Sequence, residues 1–310
     1  MKNHNIILDC DPGHDDAIAI VLASQASNIN LLGITVSAGN QTLEKTGRNA
    51  LNLVQYLNQD IPVCLGVSEP LIRPQQIADD IHGESGLDGF EFDPLTIEFD
   101  TRTAIEFIIE TLETSQTPVS IVTTGPMTNL ALAFKVKPSI KNRIEKIIFM
   151  GGSFGYGNVS PAAEFNILVD PEAADIVIRS GVDITMVGLD VTRKVLVEDN
   201  IINRMNPLNT KTSRLFVKLM KAFNENQRRV FNLPGGPLHD PVTIASLIDD
   251  TLLTTQKVHL EIDLSKGPSY GRTNCDMFNY LKQHQNVFVA TDIDVDKFWD
   301  IIETSLKKYV

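Results

Sequence analysis

Four carboxylates, Asp9, Asp11, Asp15 and Asp16, fall within eight positions of a 310-residue chain, directly after the apolar run Ile6-Ile7-Leu8. Crowded carboxylates repel one another and hold on to their protons unless something positive sits between them. A hard cation with oxygen ligands is therefore the most economical reason to gather them. An EF-hand loop does not fit, because counting from Asp9 its fifth position is Gly13 and its sixth His14, where that loop wants an oxygen ligand and a glycine. An acidic helix start favoured by the helix dipole explains Asp15 and Asp16 but leaves Asp9 and Asp11 without a reason.

Other residues able to do chemistry are scattered along the chain. His82 lies in the Gly-rich stretch Ile81-His82-Gly83-Glu84-Ser85-Gly86 and suits a donor or acid near neutral pH, although a surface loop histidine explains it equally well. Asn40 closes Ser37-Ala38-Gly39-Asn40, where a turn residue is a sufficient reading on its own. Glu164 and Asn166 are two apart, so an extended segment would put them on one face and Phe165 on the other. His239-Asp240 is the last chemically loaded pair.

The elements that must position these residues alternate. Residues 5–10 read as a buried strand, Pro12-Gly13 as a turn and 17–23 as the body of a helix; 29–36 and 42–57 repeat the strand and helix. Strands follow at 119–123, 146–150 and 183–188, with helices at 103–114, 129–136 and from Asp170-Pro171 to about residue 179. Asp170 reads as an N-cap before Pro at the first helical position, and Thr128 or Asn129 as another cap. Residues 211–229 form a long amphipathic pattern, 257–262 and 286–290 read as strands, and 295–306 closes as an amphipathic helix. Such alternation implies an open, mainly parallel α/β sheet with helices on both faces, Rossmann-like, and with function at the carboxyl ends of strands. Nothing marks a boundary, so residues 1–310 are expected to form one domain. The stretch 66–100, rich in Pro, Gly and Asp, is long for a connection and suggests a functional loop or lid. The glycines of 151–157 lack dinucleotide-binding spacing after a first strand, which excludes a nicotinamide or flavin reading.

Composition narrows the partners. With 27 basic and 39 acidic residues the net charge is −12, which gives no basic surface for nucleic acid or anionic membrane and leaves small neutral substrates. The three cysteines, Cys10, Cys64 and Cys275, are odd in number and far apart, as expected of reduced packing thiols in a cytosolic protein. No signal-length apolar start is present and 17–23 is too short to span a bilayer, so a soluble, cytoplasmic protein is expected.

Two families compete for the first stretch. A strand followed by Asp-x-Asp resembles the haloacid-dehalogenase-type phosphatases, with Asp9 as nucleophile and Asp11 as general acid. Gly13 stands where that family has Thr or Val, and Gly188-Leu189-Asp190 lacks the acid spacing of its magnesium site. The whole of Asp9-x-Asp11-Pro12-Gly13-x-Asp15-Asp16 matches the signature of the nucleoside hydrolases. The resemblance continues in Gly39-Asn40-Gln41-Thr42, Ile81-His82-Gly83, Thr124-Gly125-Pro126, Gly157-Asn158, Ala163-Glu164-Phe165-Asn166, His239-Asp240 and Tyr270-Gly271-Arg272-Thr273, in the family's order over nearly the whole chain. It is nearest the bacterial pyrimidine-preferring branch of the inosine–uridine-preferring group.

The resemblance implies a Ca²⁺-dependent hydrolysis of the N-glycosidic bond of ribonucleosides, giving ribose and free base. Uridine and cytidine would be preferred, with a purine-preferring or broad enzyme as the alternative. It implies metal ligands Asp11, Asp16, Asp240 and the main-chain carbonyl of Thr124, with Asp11 also the base that takes a proton from the attacking water. Ribose is held by Asp15, Asn40, Asn158, Glu164 and Asn166, whose carboxylates and amides would stabilise an oxocarbenium-like sugar. His82 and His239 serve the leaving base, with Gln227 and Phe231 against it. Phe231 departs from the family pattern, where a Tyr is expected, and the missing hydroxyl bears on base selectivity. A homodimer or homotetramer is the family's usual assembly.

Overall fold

In the computed structural model, which describes residues 2–308, the first apolar run becomes β1 (His4–Cys10). Side chains alternate across a strand, so Ile6, Leu8 and Cys10 enter one core and Ile7 the other. β2 (Ile29–Val36), β3 (Val63–Leu65), β4 (Val119–Thr123), β5 (Ile144–Met150) and β6 (Ile184–Val187) follow. Then come β7 (Leu196–Val197) and β8 (Gly236–Pro237), which pair with each other, β9 (Leu253–Val258), the hairpin-like pair β10 (Leu260–Ile262) and β11 (Thr273–Cys275), and β12 (Val287–Ile293). The main sheet runs β3-β2-β1-β4-β5-β6-β12-β9 and is parallel except where β9 lies antiparallel to β12. Chain order reverses at β1, which has β2 on one side and β4 on the other. Open α/β sheets leave a crevice at such a point, beyond the carboxyl ends of the strands.

The first six helices are α1 (His14–Gln25), α2 (Leu43–Tyr56), α3 (Asp79–His82), α4 (Ala104–Thr114), α5 (Thr128–Val136) and α6 (Phe165–Val169). α7 (Pro171–Ile178), α8 (Leu189–Thr192), α9 (Asp199–Met205), α10 (Lys211–Phe231), α11 (Pro241–Ile248) and α12 (Val295–Leu306) complete the set. α1, α2, α9, α10, α11 and α12 build the core on one face of the sheet, and α4, α5 and α7 the core on the other. α1 is buried along ten consecutive residues from His14 to Ala23, as a helix apolar on every side must be. Its N-terminus, carrying Asp15 and Asp16, is thereby lodged inside the molecule at the end of β1. No helix among the described residues is long and apolar enough to cross a membrane. The three cysteines are free thiols.

The structure differs from the sequence reading in four places. The stretch 66–100 divides: Phe90, Phe92, Leu95, Ile97 and Phe99 dock on the core, while the part around α3 reaches the crevice. The expected strand 257–262 breaks at His259, because the Asn286 amide takes both the N–H (2.8 Å) and the C=O (3.0 Å) of Leu260, replacing ladder bonds and sending β10 to a different sheet. Thr128 and Asn129 do not cap α5. Instead the Thr128 hydroxyl donates to Asp170 (2.7 Å) and the Asn129 amide to Asp9 (2.9 Å). Asp170 does cap α7, accepting the Ala173 N–H at 3.1 Å. The fourth difference is at Glu164 to Asn166, which are not one extended run. Glu164 is the N-cap of α6, accepting the Asn166 and Ile167 N–H groups, and Phe165 turns to the same cavity as its neighbours.

Candidate active site

β1 ends at Cys10, and the chain then turns through Asp11-Pro12-Gly13 into α1. Gly13 donates its N–H to Asp16 Oδ2 at 3.0 Å, which closes the first turn of α1 over the acid. Asn40, at the end of β2, donates its backbone N–H to Asp11 Oδ2 (2.6 Å) and its side-chain amide to Asp16 Oδ2 (3.2 Å). Thr124, at the end of β4, donates its hydroxyl to Asp16 Oδ1 at 2.7 Å. Asp240 arrives at the start of α11. Carboxylate oxygens of Asp15, Asp16 and Asp240 all come within 4.8 Å of one another, and Asp11 adjoins them. Asp9 is not part of this group. Its carboxylate points to the other core and accepts from Thr35 Oγ1 (2.6 Å) and Asn129 (2.9 Å).

Burial and then the charges of neighbouring acids push Asp11 and Asp240 well above the carboxylate range and Asp15 to about 7. Asp16 rises to about 6 through burial, held back by the N–H of Gly13 and the hydroxyl of Thr124. Asp11 Oδ1 and Asp15 Oδ1 are buried without a hydrogen-bond partner among the described residues. An all-oxygen set with several formal charges and orphaned lone pairs suits a hard cation such as Ca²⁺. Asp11, Asp15, Asp16 and Asp240 are the carboxylates gathered here, and the Thr124 carbonyl belongs to the residue whose hydroxyl reaches Asp16. That carbonyl also accepts the Asn166 amide at 2.7 Å.

Above the acids opens a cavity of about 720 Å³, ample for a small ligand. Every residue expected from the sequence lines it except Asp11 and Asp16, which are fully buried behind its wall. The amides present one end to the protein and keep the other. Asn158 accepts the Phe165 N–H through Oδ1, and Asn166 donates to the Thr124 and Met150 carbonyls. Glu164 is pushed by burial to about 7, opposed by the backbone N–H groups of Asn166, Gly152 and Ile167.

Two histidines line the cavity, and each has its Nδ1 engaged by the protein. His82 Nδ1 accepts the backbone N–H of His14 at 3.2 Å and lies 3.4 Å from His14 Nδ1; the peptide donor favours the ring proton of neutral His82 on Nε2. His239 Nδ1 lies 2.6 Å from the Thr192 hydroxyl. Burial holds His82 well below the usual histidine range and, with the charge of Arg193, lowers His239 to about 3, so both are neutral hydrogen-bond donors near pH 7. Gln227 and Phe231 sit on the last turns of α10, where Gln227 Oε1 is buried with no partner among the described residues and Phe231 is half exposed.

With this geometry in hand, residues 6–300 match the family model described as inosine-uridine preferring nucleoside hydrolase. The chain belongs to that family. Along its full length it is 44% identical to the pyrimidine-specific ribonucleoside hydrolase RihB of Escherichia coli strain K12, covering 100% of this chain and 99% of the relative. The purine-preferring ribonucleoside hydrolase from Gardnerella vaginalis superposes with a TM-score of 0.90 at 34% identity, covering 98% of this chain and 99% of its own. A plant nucleoside hydrolase, the PpNRh1 enzyme, superposes with a TM-score of 0.92 at 29% identity, again over 98% and 99%. The open parallel α/β sheet is thus the nucleoside hydrolase fold, the chain is a hydrolase acting on N-glycosyl compounds, and the phosphatase alternative falls.

Several residues of this nucleoside hydrolase site went unnoticed in the sequence. His14 ties the acidic turn to the loop after α3, donating from Nε2 to the Asp88 carbonyl at 2.9 Å. Phe223 stacks on both His14 (5.3 Å) and His82 (5.7 Å). One turn before Gln227 on the buried stripe of α10, it could have been found by stepping back four residues. Asp190 and Arg193 hold the loop 153–157, and no local spacing announces them.

Proposed function

We propose that this nucleoside hydrolase cleaves pyrimidine ribonucleosides, uridine and cytidine ahead of inosine and adenosine, with Ca²⁺ in the acidic cluster. The observation that carries the base reading is Gln227, an amide side chain that lines the cavity together with His82 and His239 and whose Oε1 has no partner among the described residues. Whole-chain identity with a relative named pyrimidine-specific supports it. A neutral uracil ring offers an N–H and carbonyl oxygens to an amide and two ring N–H donors, but no purine N7 to protonate.

The residues divide the work. Asp11, raised by its setting, takes a proton from water that attacks C1′. Bound calcium supplies Lewis acidity toward water and the ribose hydroxyls. As the C1′–N bond breaks, its electron pair goes to the base and positive charge spreads over the sugar. Asp15, Glu164 and the free ends of Asn40, Asn158 and Asn166 stabilise that charge by holding the hydroxyls. The His82 and His239 Nε2–H groups meet the negative charge on the departing base. Phe231 packs against it without donating, so Phe231→Tyr should widen the uridine over inosine margin in kcat/KM by roughly three- to tenfold, about one hydrogen bond's worth. A nucleoside panel with reducing-sugar readout tests the reading, and a larger kcat/KM for inosine than for uridine overturns it.

A further inference from the structure

Helix α8 is a single turn, yet its side chains hold three parts of the cavity. The Asp190 carboxylate accepts the N–H groups of Phe154 (2.8 Å) and Gly155 (3.0 Å). Arg193, the next residue after the helix, donates to the carbonyls of Tyr156 (3.0 Å) and Gly157 (2.6 Å), immediately ahead of Asn158. Thr192 is fully buried, and its hydroxyl meets His239 Nδ1 at 2.6 Å, its sole side-chain partner among the described residues. The backbone bonds of Thr192, its N–H to the Gly188 carbonyl at 3.2 Å and its carbonyl from the Val195 N–H at 3.3 Å, leave the hydroxyl out.

We propose that Thr192 is a positioning residue that acts through His239, fixing its ring so that Nε2 carries the proton and presents it to the leaving base. A threonine hydroxyl has one hydrogen to give, and among the described residues no other acceptor is bonded to this one. Directed to Nδ1, it makes that nitrogen an acceptor and leaves the ring hydrogen of His239 on Nε2. The His14 backbone N–H, donating to His82 Nδ1, favours the same arrangement at His82. Without the hydroxyl the Nδ1–H tautomer becomes accessible, and the cavity would then meet a lone pair where the departing base needs a donor. Asp190 and Arg193 keep α8 fixed against the sugar-side loop, so the hydroxyl cannot drift from the ring without disturbing Asn158.

The proposal rests on the reading that His239 serves the base, and the test separates the two. Thr192→Val removes the hydroxyl at nearly constant shape and Thr192→Ser keeps it. Each is assayed on uridine and on p-nitrophenyl riboside, whose leaving group needs no donor, beside His239→Ala. The expected result for Thr192→Val is a fall in kcat on uridine of roughly tenfold or more with KM within about twofold, a far smaller loss on the nitrophenyl riboside, and recovery of most of the uridine rate in Thr192→Ser. ¹⁵N NMR of the His239 ring should show a bare Nδ1 in the wild type and mixed tautomers in Thr192→Val. Equal loss on both substrates, an unchanged uridine rate beside a crippled His239→Ala, or a protonated Nδ1 in the wild type overturns the role of Thr192. If His239→Ala itself spares uridine cleavage, the base reading falls instead, and the tautomer spectrum alone decides whether Thr192 sets the ring.

Discussion

The side chains that serve the reaction in this cavity are the ones the fold would be better without. Gln227 Oε1 is buried without a partner among the described residues, and such a group costs about 1–3 kcal/mol. Gln227→Leu, of similar volume, should raise Tm by a few degrees while lowering kcat/KM on uridine roughly tenfold, a trade visible by calorimetry beside the assay. A Tm that falls would mean the amide is structurally satisfied. Asp11 is under the same conflict, since burial and the charge of Asp16 raise its pKa. Asp11→Ala should lower kcat by about three orders of magnitude, because it removes the proton acceptor, yet leave Tm in chelator unchanged or higher. Near wild-type turnover of uridine would show that Asp11 is not the base.

At the scale of elements, the loop after α3 has one job the cavity depends on, the placement of His82. Gly83 adopts φ +79°, and a Cβ there would lie 2.0 Å from Asp88 Oδ2, the carboxylate that gathers the Glu84 and Ser85 N–H groups. Gly83→Ala should therefore cost about 1–2 kcal/mol and loosen His82, reducing uridine cleavage more than nitrophenyl riboside cleavage. Equal effects on both would place His82 away from the base. This loop also shows what the sequence can and cannot disclose. Buried strands and the acidic turn were legible because apolar runs and crowded carboxylates are local signals. The division of 66–100 was not, because the alternation Phe90, Phe92, Leu95, Ile97, Phe99 reads as covering only once α2 and α10 are there to be covered. Thr128 and Asn129 looked like caps for the same reason: Asp170 and Asp9, which claim them, come from distant parts of the chain. The ligands for sugar and base were recoverable through the family's segments, whereas Asp190, Thr192 and Arg193 belong to no such segment and emerge only where β6 delivers α8 to the cavity.

For the whole molecule, the acidic centre makes stability a function of pH and of calcium together. Without a cation, Asp15 is raised to about 7, Asp16 to about 6, and Asp11 and Asp240 are likewise pushed well up, all above the value near 3.8 of an unfolded aspartate. The folded state therefore binds more protons than the unfolded chain above about pH 4, and its stability must fall as pH rises through 6 and 7. Calcium binds the ionised carboxylates, so it competes with those protons, and its stabilisation must grow over the same range. Scanning calorimetry in chelator and in excess Ca²⁺ should give curves that lie close together at about pH 5 and separate by about pH 8. At a hundredfold excess over Kd the gain is about 2.7 kcal/mol, or roughly 5 °C for a chain of this size. Chelator should abolish uridine cleavage at both pH values. A calcium shift that is the same at both, or larger in acid, would mean that the ion sits somewhere other than among Asp11, Asp15, Asp16 and Asp240.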